Sequence, residues 1–482
     1  AKVLRIKIRV FSALYLPSSV IAGLLGLLTL SLGMLGSGNV SKTLQQNWTT
    51  GWDQLAAFLI NIVFSALFLG VHIPRVGTVW KKAGPQLTYG MVLAFGQWST
   101  AMLVTGTVLV HFGVPALFAC ALPVGFAGGH GTAAGLSDTF TEAGWKDGGS
   151  VSLASATFGL IGSILFGVAW VNLAARKGWV QKAKMDSAPD AKLSIRGVYQ
   201  TDSRPIAGVQ TTAPDSIDTL AFHLAVIGMA MLFGYSIKQA FIAIENTSDQ
   251  LKKMAFLSGF PLFPLCMGGG ILIQWSSEKW MTRTKLIDAS IMERLSGTAL
   301  DFLVTGAIAS VNVSGVASDI VPFLILMLAG VLWHFCCLYF LAPRLLPNHW
   351  FERGAAEMGM SMGVIASGLV LLRMVDPESK SPVPADFAYK QLLHSPFMGG
   401  GIWTALAVPL TKILGTWIMF AISTSIVVLW LLLWYFLLRP SELYHTNCKC
   451  SLCIAANGGL LQEALDNGPS VSVPETHEEE TW

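Results

Sequence analysis

Nine apolar runs leave this chain few alternatives to a bundle of membrane-spanning helices. They cover residues 17–36, 53–71, 87–112, 149–174, 219–243, 256–275, 296–316 and 320–342, with a longer run at 399–438. Most are roughly 20 residues long, the length of helix that crosses a bilayer core. Composition agrees. Of 482 residues, 53% are hydrophobic and 12% charged, about half the charged share of a soluble domain, and mean hydropathy is +0.58. A net charge of +3 is too small to imply nucleic acid as a partner. A transmembrane barrel would show alternating strands of about ten residues, and none is visible. The expected fold class is therefore an all-α polytopic membrane protein.

Two further apolar segments, 114–140 and 354–373, are loaded with Gly, Ala and Ser. Backbone that is not helical at membrane depth survives only inside protein or along a cavity, so both are expected to be re-entrant loops. Loop charges set the orientation. The basic N-terminus, Arg75–Lys82, the hydrophilic stretch 176–216, Lys279 to Lys285, and Arg344 with Arg353 all fit the cytoplasm. The loops near 37–52, 141–148 and 245–253 then face outward. Glycosylation sequons begin at Asn39, Asn47, Asn246 and Asn312; the first three lie in outward loops and the last near an outer helix end.

Divided at the linker, the chain reads as two transmembrane halves, 1–174 and 217–438, joined by 175–216 and followed by a polar tail, 439–482, expected to be disordered. Segment 114–140 would dip in from outside and 354–373 from inside. Oppositely oriented halves with a broken segment in matching places form the inverted repeat of a secondary transporter. About five helices per half are expected, with the first helix missing from a chain that starts on Ala1. The long run 399–438 exceeds one straight span, with Pro409 and Lys412 as dividing points: one kinked span would leave the tail outside, and two short spans would leave it inside.

Several strings resemble the bacterial-type sodium/glutamate symporter family: GGHGTAAG at 128–135, ASATFGL at 154–160, LPSSVIAGLLGLL at 16–28, GMSMGVIASGLVLL at 359–372 and LAVPL at 406–410. The resemblance runs from the first residue to about Leu438. It implies Na⁺-coupled glutamate uptake on two five-helix inverted repeats, and it favours one kinked span for 399–438. The second loop departs from the family by lacking a GG-x-G string, which bears on the substrate more than on the fold.

Site residues are expected where the loops unwind. Glycine permits close approach and leaves backbone uncovered; half-helix starts attract carboxylate, and half-helix ends offer carbonyls to Na⁺. Gly128, Gly129, His130, Gly131 and Thr132 are therefore expected to face Gly359, Met360, Ser361 and Gly363 across a midplane cavity, with Thr157 lining it. Close packing of helices by small residues is the alternative. His130 either touches substrate or holds the loop tip. Gln97 either binds substrate or bonds a neighbouring helix. Thr132, Ser361 and the intramembrane Asp301 are Na⁺ candidates. Lys238 is expected to snorkel, His334 to bond another helix and Arg373 to anchor at the cytoplasmic face. Cys120, Cys266, Cys336 and Cys337 sit in apolar runs, while Cys448, Cys450 and Cys453 fall short of a zinc pattern.

The reading is a symporter of glutamate with Na⁺ as coupling ion and no other cofactor, not an enzyme, in the plasma membrane, with a homodimer admitted. Its rivals are a carrier of a citrate-like organic anion and an ion channel.

Overall fold

Apolar runs with no polar face fold as helices whose backbone groups are satisfied within each segment. In the computed structural model there is no strand among the described residues. Those residues are 1–8, 11, 16–31, 39–72, 76–180, 204, 206–247, 257–258, 260–280, 285–346, 348–376 and 381–438. Most of the expected linker, and the tail with its cysteine cluster, lie outside them.

In chain order, α1 is Ser18–Ser31, α2 Asn39–Ala66 and α3 Val76–Thr107. The first glycine-rich segment is a hairpin: a 3₁₀ turn at Ala116–Cys120 enters α4 (Ala121–Phe126), the chain breaks, and α5 (Gly129–Gly135) leads back. Then come α6 (Gly148–Lys177), α7 (Thr219–Glu245), α8 (Leu262–Trp280), α9 (Ala289–Ala309) and α10 (Ile320–Cys336), which a π turn continues to Leu345. The second glycine-rich segment is also a hairpin, α11 (Trp350–Met362) and α12 (Ile365–Val375), with the break at 363–364. Helix α13 (Val383–His394) and α14 (Ile402–Leu433) complete the fold.

Four helices, Gly148–Lys177, Thr219–Glu245, Ile320–Leu345 and Ile402–Leu438, are long and apolar enough to cross a membrane. Their outer faces carry exposed apolar side chains, such as Leu224 and Leu232 on α7, Leu328 and Leu332 on α10, and Trp417 and Leu429 on α14. Lipid solvates such surfaces and water does not. Helix α3, with 32 residues, is of another kind. It is buried without interruption from Ala83 to Trp98, so it needs no lipid-compatible face and can carry Gln86 and Gln97 inward.

The helices form two groups. In one, α9 packs on both α1 and α2, α8 packs on α2, and α7 packs on α8. In the other, α3 is surrounded by α10, α13, α14 and the first hairpin, while α6 holds both hairpins. Helix α5 touches both groups, resting against α2 and α9.

The run 399–438 departs from the single kinked span that the resemblance favours. Trp403 packs on Phe95 and Trp98, and the Thr424 hydroxyl is 2.7 Å from that of Ser99. A straight helix would separate Trp403 from Thr424 by about 30 Å. The chain instead turns back at Gly415, whose φ of 75° lies in the left-handed region that glycine alone enters without strain. Beyond it Trp417 covers Gly106, Trp430 meets Trp80 and Leu438 reaches Gly84. The run is thus a half-length arm toward the Thr107 end of α3 and a full-length return to its Val76 end. Pro409 and Lys412 both lie within the first arm.

The hairpins occupy opposite ends of α3. The first starts beside Leu109–Phe112 and returns to Glu142, whose carbonyl accepts from Lys412 Nζ at 3.0 Å near the turn at Gly415. The second starts at Arg353, bonded to Gln86, and returns to Asp376, which holds Ser381 at the start of α13.

Candidate functional site

The two hairpin breaks meet. Gly129 has a φ of 67°, and a Cβ there would lie 3.5 Å from Val364 Cγ1 and 3.8 Å from Gly363 O. On the floor of this contact lies the ATFGL string of α6. A Cβ on its Gly159 would stand 2.2 Å from Met362 O and 2.7 Å from Phe126, so only a bare Cα lets both hairpin ends settle on α6 there.

A third break joins them. Between α13 and α14 the chain unwinds over 395–401, with Gly399 and Gly400 at φ 64° and 100°. Thr132 Oγ1 donates to Gly399 O at 3.3 Å. The triple glycine at 399–401 is the sequence signal for this break, though it lies inside the last apolar run.

The expected site residues divide accordingly. Gly128 caps the start of α5, and Gly129 and Gly363 meet at the hairpin tips. His130 is buried, with Nε2 3.0 Å from Thr157 Oγ1. The Thr157 hydroxyl donates to Leu153 O, so the imidazole is the donor in the first contact. Gln97 is buried and reaches Ser361 O at 2.8 Å, Ser361 Oγ at 2.6 Å and His334 Nε2 at 3.0 Å. Gln97 therefore bonds neighbouring helices, joining α3 to α10 and to the end of α11. His334 does bond another helix, and its ring lies 6.0 Å from that of Phe126 at the end of α4.

Other expected residues face elsewhere. Gly131 looks at Ile60 and Leu300, across the contact between the two helix groups. Gly359 backs onto Gly368, where the arms of the second hairpin touch. Met360 turns to Lys390 and Gln391 on α13. Asp301 is exposed on α9, near Lys2. Lys238 bonds the carbonyls of Ser258 and Phe260, and Arg373 is exposed. A pocket lined by Gly70, His72, Gln274 and Glu278 opens elsewhere and contains none of these residues.

The reading of the sequence missed a charged network behind the second hairpin. Lys390 Nζ is 2.8 Å from Glu357 Oε2, with both side chains fully buried. Gln86 Nε2 donates to Glu357 Oε1 at 2.9 Å, and Gln86 Oε1 accepts from Arg353 at 3.2 Å. Arg353 also pairs with Asp386 at 2.7 Å. These groups tie α11 to α3 and α13. Each charge has an opposite partner, the condition under which burial is tolerated.

Among the described residues no three His, Cys, Asp or Glu side chains group as a metal site. The polar atoms at the tips are backbone carbonyls, hydroxyls, amides and imidazole nitrogens. An all-helical bundle faced with apolar side chains, holding unwound polar backbone in its interior, is a polytopic membrane protein. The family described as sodium/glutamate symporter matches residues 1–349, and the chain belongs to that transporter family. Comparison with curated proteins and with solved structures finds no match. The matched region contains the first hairpin and ends just before α11.

Proposed function

We propose that this protein carries glutamate across the plasma membrane together with Na⁺, by alternating access, with the solutes held where the hairpin breaks meet. The observation that carries the reading is the tip-to-tip contact of Gly129 with Gly363, supported by the family to which the chain belongs. The hairpins are re-entrant loops in this reading, entering from opposite faces of the bilayer. Helix α12 starts without a side-chain cap, which leaves backbone N–H groups and the positive end of its dipole for a substrate carboxylate. Ser361 and the carbonyls ending α11 supply hard oxygen for Na⁺, and Thr132 with Gly399 O forms a second oxygen pair.

Packing symmetry supports two inverted halves. The contact of α1 with α9 is matched by that of α8 with α2, and α2 meets α9 directly. In this reading α2 and α9 form a frame, and the group bearing the hairpins shifts along it. The seam at Gly131, Ile60 and Leu300 is uncharged, so sliding there separates no ion pair.

Labelled glutamate uptake into proteoliposomes, with and without an inward Na⁺ gradient, tests the proposal. Gradient-dependent accumulation is expected. Na⁺-driven uptake of citrate but not glutamate would reassign the substrate, and a conductance without coupling would replace the carrier by a channel. Gly129→Val and Gly363→Val should each abolish uptake while the protein still inserts; normal uptake by both variants would remove the site from the hairpin tips.

A further inference from the structure

We propose that the side-chain oxygen of Gln97 accepts the ammonium group of the transported amino acid, and that His334 is the positioning residue that aims it. This rests on the glutamate-transport reading and adds a basis for selectivity. The amide's orientation is set by its surroundings. The terminal atom facing Ser361 O lies 2.8 Å from a carbonyl that cannot donate. The same atom lies 3.0 Å from His334 Nε2. His334 Nδ1 is 2.7 Å from Gly330 O, another group that can only accept, so Nδ1 carries the ring proton and Nε2 presents a lone pair. Two acceptors thus require the amide nitrogen between them, and Oε1 must point the other way.

Gln97 Oε1 is buried and has no hydrogen-bond partner. Other buried orphans include serine and threonine hydroxyls, which can rotate onto a helix carbonyl. An amide oxygen can only accept. Left dry and unpaired it costs free energy, so the site calls for a donor, preferably a charged one. The place is the junction of both hairpins: Ser361 is the penultimate residue of α11, and Phe126 of α4 faces His334. An amino acid with an acidic side chain brings one cationic group and two carboxylates. The carboxylates need donors, and only the ammonium suits Oε1. A bare dicarboxylate has nothing to offer this atom.

The full chain in proteoliposomes, driven by a Na⁺ gradient, provides the test. Glutarate, which is glutamate without its amine, serves as competitor. In the wild type, glutarate should compete at least roughly tenfold more weakly than unlabelled glutamate, the scale of one hydrogen bond to a charged group. Gln97→Met keeps the length and removes the acceptor. It should raise the glutamate KM about tenfold or more and leave glutarate inhibition unchanged, collapsing the ratio. His334→Phe, which frees the amide, should shift the ratio in the same direction. The ratio is insensitive to a loss of folded protein, which lowers both signals together. An unchanged ratio in Gln97→Met overturns the proposal. So does a raised Na⁺ requirement at constant ratio, which would make Oε1 an ion ligand. A wild type that takes up no glutamate fails the glutamate-transport reading instead, a result separable from these.

Discussion

Glu357 and Lys390 show how much can depend on one pair of side chains. Glu357→Gln leaves an ammonium buried without its counter-charge, and such losses run to about 3–5 kcal/mol. Thermal unfolding in detergent should show that loss in the single variant and recover most of it in Glu357→Gln/Lys390→Met. His349 is a titratable group outside the spans. Glu352, as hydrogen-bond partner and counter-charge, raises its pKa above the ordinary imidazole value. A raised folded value means that the contribution is complete below the unfolded pKa and fades as pH rises through the folded one. Melting curves should therefore show the wild type's margin over His349→Gln to be largest in mild acid and gone in alkali; a margin growing with pH would contradict the pairing. The sequence hid the Glu357–Lys390 pair for a physical reason. A charge in a string of letters reads as solvent-facing unless its counter-charge is visible, and here the partners are more than 30 positions apart for Lys390 and Glu357.

At the scale of elements, what the sequence disclosed was set by hydropathy. Helices α6, α7 and α10 were legible because their lipid-facing sides are apolar. The helix breaks at Gly129 and at 363–364 were legible because clustered glycine interrupts a helix. Helix α13 was not, since Asp386 and Lys390 give it the look of a surface loop although Lys390 is fully buried. The sequence admits a reversal in 399–438 but not its place: Pro409 and Lys412 look like stronger punctuation, yet the left-handed turn needs glycine, at Gly415. Cysteines at 99 and 424 test the reversal. The pair Ser99→Cys with Thr424→Cys should cross-link readily under mild oxidation, whereas an unbroken span would put position 424 beyond reach of position 99. Gly415→Val should weaken that cross-link, because a β-branched residue resists the positive φ.

For the whole molecule, the reversal decides where the chain ends. Leu438 returns to the Val76 end of α3, which the basic loops predict to be cytoplasmic, so the tail should emerge on the side of the linker. A protease site placed after residue 470 should be cut only after the membrane is opened, as should one placed in the linker at 190; cleavage of intact cells at the tail alone would reject this path. The family match covers the first 349 residues, where bilayer-length apolar runs and the GGHGTAAG and ATFGL strings made class and family readable. The arrangement of the C-terminal portion depends on contacts that no single segment encodes. Gln86 belongs to the early part of the chain, while Arg353, Glu357 and Lys390 belong to the late part. A chimera spliced near residue 349 would thus inherit half of an electrostatic lock and strand the other half in a dry interior. Any successful graft must carry the matching residue on α3 along with the new C-terminal portion.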